Sequence, residues 1–392
     1  MAFGGGSSGS AALTAHTHNQ LLSGDGGDLS ETLTDMNGVP LFSLITDNAA
    51  AVAANTVNIA TNAAAVAANT ASITALGTPP FATVSSIEAH KLIRWIGQTE
   101  AANNEWSACE YSPTLDQFCS VSGTGSGNRV MTSTNAVLWT SRTSAADNAW
   151  YGLAWSEDLD LWCAVGNNTA GGGTNAVMTS TNGTSWTLRS APANYGWNAV
   201  CSSDGAIATK FCAVASNGGT AQTVMTSTDG TTWTARTPAN TYVWQGIGWN
   251  GSDLFVAVAS SGGTTDKIMT SPDGITWTAR TAPSTTAMFD VIYSPTLSLW
   301  VACQYNGQMI SSPDGITWTQ RTAVSKGWTN VSWSEDNKVF VAGADGAITY
   351  SLDGITWFYV PTPATNTRGT AWSPILEIYA SAGSGGCLSS IL

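Results

Sequence analysis

The sequence predicts a mostly β protein: a seven-bladed β-propeller of four-stranded blades, preceded by an α-helical trimeric coiled-coil stalk and an irregular N-terminal anchor. Three observations predict it. A short turn motif recurs through the C-terminal three quarters of the chain. Each interval between copies holds four short apolar runs. Ahead of them lies an alanine-rich stretch with an apolar residue at every seventh position. The expected boundaries are an anchor at 1–43, a stalk at 44–77, a neck at 78–90 and a propeller at 91–392.

Residues 269–278 read Met-Thr-Ser-Pro-Asp-Gly-Ile-Thr-Trp-Thr, and 225–234 and 310–319 are near copies. The stretch 351–357 keeps Ser-Leu-Asp-Gly-Ile-Thr-Trp, 178–187 has Asn182 and Gly183 in place of Asp-Gly, and 131–140 is a decayed copy with Asn135 and Ala136. The marker tryptophans Trp139, Trp186, Trp233, Trp277, Trp318 and Trp357 are spaced by 47, 47, 44, 41 and 39 residues, a period that signals a repeat architecture. In the fourth repeat the apolar runs are 244–249, 254–259, 267–271 and 276–280. They are rich in Val, Ile, Thr and Trp and bounded by Gly, Asn, Ser and Pro, so they read as strands. Asp-Gly between the third and fourth runs reads as a tight turn, because glycine accepts positive φ without steric cost. The seventh blade is short of one strand: 369–392 supplies three. Trp95 lies 44 residues before Trp139, so strand 91–98 is expected to close the ring beside 369–392 and remove an exposed edge.

The motif resembles the Asp-box of sialidase-like and sortilin-like propellers, with Asp and Gly adjacent and thus one residue shorter than that pattern. The resemblance implies a fold and is nearly silent about function, because the box is a structural turn.

Only 10% of residues are charged, and the net charge is −13. Low charge with abundant Gly, Thr, Ser and Asn suits a secreted or virion β-protein. The acidic balance argues against nucleic-acid binding, which needs a basic stripe. The seven cysteines fall mainly in first and second strands and read as buried free thiols rather than disulfides. No Cys/His spacing suggests zinc. No apolar run spans a membrane, and the N-terminus lacks a signal-peptide pattern, so neither membrane insertion nor secretion is expected.

Ile45, Val52, Ile59, Val66 and Ile73 mark a heptad. Asn48, Asn55, Asn62 and Asn69 each follow three residues later. Alanine fills most of the rest and favours helix, so 45–76 reads as a coiled-coil seam roughly 48 Å long. Buried asparagines must be satisfied, which several amides sharing one axis achieve. Val52/Asn55/Thr56 and Val66/Asn69/Thr70 resemble the stalk heptads of trimeric autotransporter adhesins, in which such asparagines surround axial anions. The resemblance implies a parallel homotrimer with chloride held by Asn48, Asn55, Asn62 and Asn69. Pro79 and Pro80 end the helix. In the anchor, His16 and His18 precede Gly-Asp-Gly-Gly-Asp-Leu at 24–29, which resembles N-terminal segments of phage-fibre and other virion proteins. Three copies of His16 and His18 form a candidate metal site, and two exposed or packed histidines are the plain alternative. No other cofactor is expected.

Propellers bind ligands at the channel mouth, here framed by the loops 123–128, 166–175, 216–222 and 260–265. Trp106, Trp150, Trp197, Trp244 and Trp328 stand just before first strands. If they face the mouth they form a stacking surface for sugars; if they face the next blade they are packing. A sialidase needs clustered arginines, whereas Arg142, Arg189, Arg236, Arg280 and Arg321 hold one repeat position and are spread around the ring. Glu157/Asp158 and Glu335/Asp336 read as solvated turn residues, so no glycosidase pair is nominated and no enzyme is expected. The expected protein is a virion fibre or spike, held to other virion proteins through 1–43. Its head engages a host cell-surface glycan or protein. A purely structural capsid or tail decoration, a cell-surface adhesin and a glycosidase are the alternatives.

Overall fold

A computed structural model describes residues 94–391 apart from 168–173, 206–210, 217–221, 263 and 306, together with 49, 52–57, 59–62 and 64. The chain divides into two compact units, Met1–Ala89 and His90–Leu392.

In the first unit the described residues form one short helix. Thr56 and Thr61 turn their hydroxyls back to the carbonyls of Val52 (2.8 Å) and Val57 (2.9 Å), which occupies groups that would otherwise compete with helix. The heptad residues Val52 and Ile59 are 65% and 70% exposed, and Asn55 and Asn62 are exposed as well. The described residues thus show one short helix and no paired stalk, and the rest of the stalk expected over 44–77 lies outside them. Of the heptad residues, only Val52 and Ile59 are described, and a single chain offers them nothing to pack against. Asn48, Asn69, His16 and His18 lie outside the described residues.

In the second unit the strands form antiparallel sheets in chain order, with five four-stranded sheets from Trp106–Ser112 through Thr319–Thr322 and one six-stranded sheet. Six sheets stand where seven separate blades were expected. The cause lies in two long strands, Val339–Ser351 and Phe358–Ser373. The first joins the second and third strands of the sixth repeat, the second runs from that repeat's fourth strand into the first strand of the seventh, and Asp345 pairs with Asn366, so hydrogen bonding continues from the sixth repeat into the seventh. Arg94–Gln98 forms the edge of that sheet, with Trp95 opposite Ser390.

The sheets pack face to face through their inner strands. A Cβ on Gly152 would stand 2.8 Å from Ala199 Cα, one on Gly246 2.6 Å from Asp290 Cα, and one on Gly369 2.3 Å from Cys109 N. Inner strands converge so closely that only glycine fits at these points. The third contact joins the last sheet to the first and closes the ring. The same junction is filled by Trp106, Cys109 and Phe118 against Ala371, Ala380 and Cys387. Each intersheet core is built likewise, from two neighbouring repeats, as with Cys163 and Val165 against Trp197, Phe211 and Trp233.

The box turns show why the motif recurs. In 271–277, Ser271 Oγ accepts the Gly274 N–H (2.8 Å), and Asp273 Oδ1 accepts the N–H groups of Ile275 (2.8 Å) and Thr276 (2.9 Å). The Trp277 indole donates to Gly274 O at 3.1 Å. Gly274 has φ +71°. Trp186, Trp233 and Trp318 repeat the indole bond at 3.0–3.1 Å. No disulfide joins the seven cysteines, and all but Cys201 are buried. Among the described residues no helix is long and apolar enough to cross a membrane.

Candidate functional site

The five tryptophans nominated from sequence are core residues. Trp106, Trp150, Trp197, Trp244 and Trp328 are each 0% exposed. Each indole N–H is bound to a carbonyl four residues upstream: Ala102, Ala146, Ala193, Asn240 and Val324, at 3.1–3.4 Å. Trp106 is also bound to Glu100 at 2.9 Å. An enclosed ring with its one donor satisfied offers no stacking face, so these residues lock the loop entering each sheet onto its first strand.

The residue that follows is placed differently. First strands carry a bulge at 106/108, 150/152, 197/199, 244/246, 288/290 and 367/369. A bulge leaves one residue out of the ladder and re-aims its side chain. Ser107, Tyr151, Asn198, Gln245, Phe289 and Arg368 occupy it, all half-buried, and Thr329 holds the equivalent place. Their surroundings differ. A Cβ on Gly123 would touch both Tyr151 (3.6 Å) and Ser107 (3.7 Å). Asn198 Nδ2 donates to Trp244 O at 2.8 Å, and Gln245 Nε2 to Ser260 Oγ at 3.1 Å. Phe289 lies 5.5 Å from the Tyr305 ring, which is 54% exposed. Thr329 Oγ1 donates to Thr367 O at 2.9 Å. Among the described residues neither ion pair involves Arg368. The arrangement offers two aromatic rings, amide groups and one cation. Much of the loops 166–175 and 216–222 lies outside the described residues.

Sequence reasoning missed these positions, although they carried a signal. The tryptophan recurs because it is structural, while the next residue differs in every repeat because no packing rule fixes it.

Two carboxyls on first strands also went unnoticed. Burial pushes Glu110 up to about 7, against the hydrogen bond from Tyr111 N–H and with help from the nearby Asp290 charge. Burial likewise raises Asp290 to about 7, opposed by the N–H groups of Val331 and Val291. Asp290 bridges two inner strands through those bonds, at 2.9 Å to Val291 N and 3.0 Å to Val331 N.

The arginines hold one structural role. Arg142, Arg189, Arg236, Arg280 and Arg321 each donate Nε to a third-strand hydroxyl at 2.8–3.1 Å. Glu157 accepts from the Trp155 indole and Glu335 from the Trp333 indole, both at 2.7 Å. Among the described residues no group of three His, Cys, Asp or Glu side chains is placed to hold a metal.

No known protein family matches the sequence, and no curated protein does. Solved structures do resemble the chain. YCF48 bound to D1 peptide superposes with TM-score 0.55 at 14% identity, covering 77% of this chain and 96% of that one. YCF48 from Cyanidioschyzon merolae gives 0.56 at 14%, covering 76% and 98%. The β-propeller domain of Myceliophteria thermophila Cps50 (Swd1) gives 0.58 at 10%, covering 76% and 100%. At such identity the likeness concerns the fold alone, and it makes the second unit of this chain a β-propeller.

Proposed function

We propose that the chain is a trimeric virion fibre or spike protein whose propeller binds a host cell-surface glycan or protein at its channel mouth. The observation that carries the reading is the arc of bulged side chains, half-open and different in every repeat, set on tryptophan-locked strands. Rigid strands with variable tips are what a recognition surface needs. YCF48, which shares the fold, is found with a D1 peptide, so a polypeptide receptor is compatible with this architecture.

The finer architecture belongs to the same proposal. The six-stranded sheet comprises two blades, because the inner strands meet their neighbours in one closed series of seven, and the box turns are a shortened Asp-box. The exposed seam at Val52 and Ile59 is covered by two further copies of the helix, with chloride on the asparagine axis. Residues 1–43 anchor the fibre to other virion proteins, with His16 and His18 as its metal site. Three linked heads raise avidity where single contacts are weak.

Glycan arrays and capture from host surface extracts with the full chain test this. Tyr151→Ala and Arg368→Gln are expected to lower binding by about tenfold or more, the scale of one lost anchor contact, with thermal stability unchanged. Binding that survives both substitutions would move the site elsewhere. A full chain that captures neither glycan nor protein would favour a structural decoration role.

A further inference from the structure

A cavity of about 340 Å3 lies between the fourth and fifth repeats, at the ends of the strands that carry the box turns. Its first wall is the turn 250–254. Asn250 Oδ1 accepts the N–H groups of Ser252 (3.0 Å), Asp253 (2.9 Å) and Leu254 (2.9 Å) and fixes that turn. Asn250 Nδ2 and Ser252 Oγ both donate to Asp253 Oδ1, at 2.9 and 3.0 Å. These bonds hold the Asp253 carboxyl below the usual range. The opposite wall is Tyr293 and Trp300, capped by Asp314 and Ile316 of the box turn.

Two polar groups on that wall lack a partner among the described residues. The aromatic near the end of each first strand elsewhere has its polar tip bound. Tyr111 donates to Asp116 (2.6 Å), Trp155 to Glu157 (2.7 Å), Trp249 to Asp204 O (3.3 Å), Trp333 to Glu335 (2.7 Å) and Trp372 to Asp336 (2.9 Å). The Tyr293 hydroxyl, at the same position, has no hydrogen-bond partner among the described residues. Trp300 is 1% exposed and stands where four other repeats carry Phe118, Phe211, Phe255 and Phe340 and the second repeat carries Trp162. Its indole N–H, packed toward Gly315 of the box turn, has no partner among the described residues either.

We propose that this cavity is a saccharide subsite for a single pyranose ring. Sugar hydroxyls both donate and accept. They can give to Asp253 and Asp314 while accepting from the Trp300 indole and the Tyr293 hydroxyl. Leu254 and Ile316 supply an apolar wall for the C–H face. An ammonium head group would suit the carboxylates and leave both donors unmet. The volume falls at the small end of ligand cavities, which matches one ring and not an extended chain. The subsite stands apart from the mouth, since Tyr293 and Phe289 lie toward opposite ends of one strand.

Saturation-transfer NMR on the full chain tests it, with free galactose, glucose, mannose and N-acetylglucosamine at roughly 10 mM, where weak single-ring binding is visible. At least one sugar is expected to receive saturation. Its affinity is expected to fall about tenfold in Trp300→Phe/Tyr293→Phe, which keeps both rings and removes only the two polar tips. Arg368→Gln at the mouth should leave it unchanged, so a failed mouth site and a failed subsite are told apart. The proposal is overturned if no sugar binds, if the double variant with wild-type melting binds equally well, if only Arg368→Gln abolishes binding, or if Nα-acetyl-lysine binds in place of the sugars.

Discussion

A tryptophan and its neighbour do opposite jobs at the start of each first strand. Trp150 and Trp244 are enclosed and hydrogen-bonded, so replacing either with alanine empties a large intersheet volume. We expect about 3–5 kcal/mol of destabilisation for each, read from denaturant melts. Tyr151→Ala and Gln245→Ala, one residue on, should shift the midpoint little. Equal losses at both positions would mean that the bulged residues are packing elements too. Cysteines make a second residue-scale case. Burial pushes the thiols of Cys119, Cys163, Cys212 and Cys303 out of reach, and raises the pKa of those at 119, 163 and 303 far above the ordinary thiol value. A thiolate-specific reagent should therefore label them only after unfolding. Rapid labelling of the native chain would contradict that burial. At this scale the sequence was legible where a residue recurs. It misled where recurrence was taken as a candidate for binding, because a side chain that repeats around a ring answers to packing that repeats around the ring.

The box turn is the element whose chemistry was plainest in the sequence. Its serine, carboxylate and glycine each meet a backbone need within the turn, so the local residues suffice to specify it. Gly274 sits at φ +71° with Thr226 Cγ2 3.2 Å from a Cβ built there. Gly274→Ala should cost about 1–2 kcal/mol, measured by chemical denaturation. The decayed first turn shows that the cost is bearable, since Ala136 occupies the same conformation at φ +57°. A neutral result at Gly274 would show that the backbone relaxes out of the left-handed region. Other features were not legible because they arise across elements. The merging of the last sheets depends on the pairing of Asp345 with Asn366, and the cavity beside Trp300 depends on a turn from one repeat meeting a turn from the next. Neither leaves a mark on local periodicity.

Over the whole molecule, opposing carboxyls set the pH range of stability. Hydrogen bonds, led by that from Thr232 N–H, lower Asp229. Burial of Glu335 is outweighed by bonds from Lys338, Thr296 and Trp333, which bring it down to about 2. These groups titrate lower when folded, so their contribution is present above the ordinary carboxylate value and lost as pH falls through the lowered one. Glu110 and Asp290, raised to about 7, act in the other sense. Their contribution is complete below about pH 4, the unfolded value, and is lost as pH rises through 7. The melting temperature should accordingly fall between pH 5 and pH 8, and Glu110→Gln should flatten that fall while leaving the acid limb alone. An unchanged slope in the variant would place the titrating group elsewhere.

The ring and its stalk together make the central claim, that three heads are displayed on one shared helical axis. The heptad at Val52 and Ile59 was readable as a pattern, but the partners proposed for it are other copies of the chain, which one chain cannot display. Light scattering of the full chain, run below micromolar and again at tens of micromolar, measures the claim directly. The account requires a mass of three times 40.5 kDa at both concentrations. A mass of 40.5 kDa throughout would contradict it.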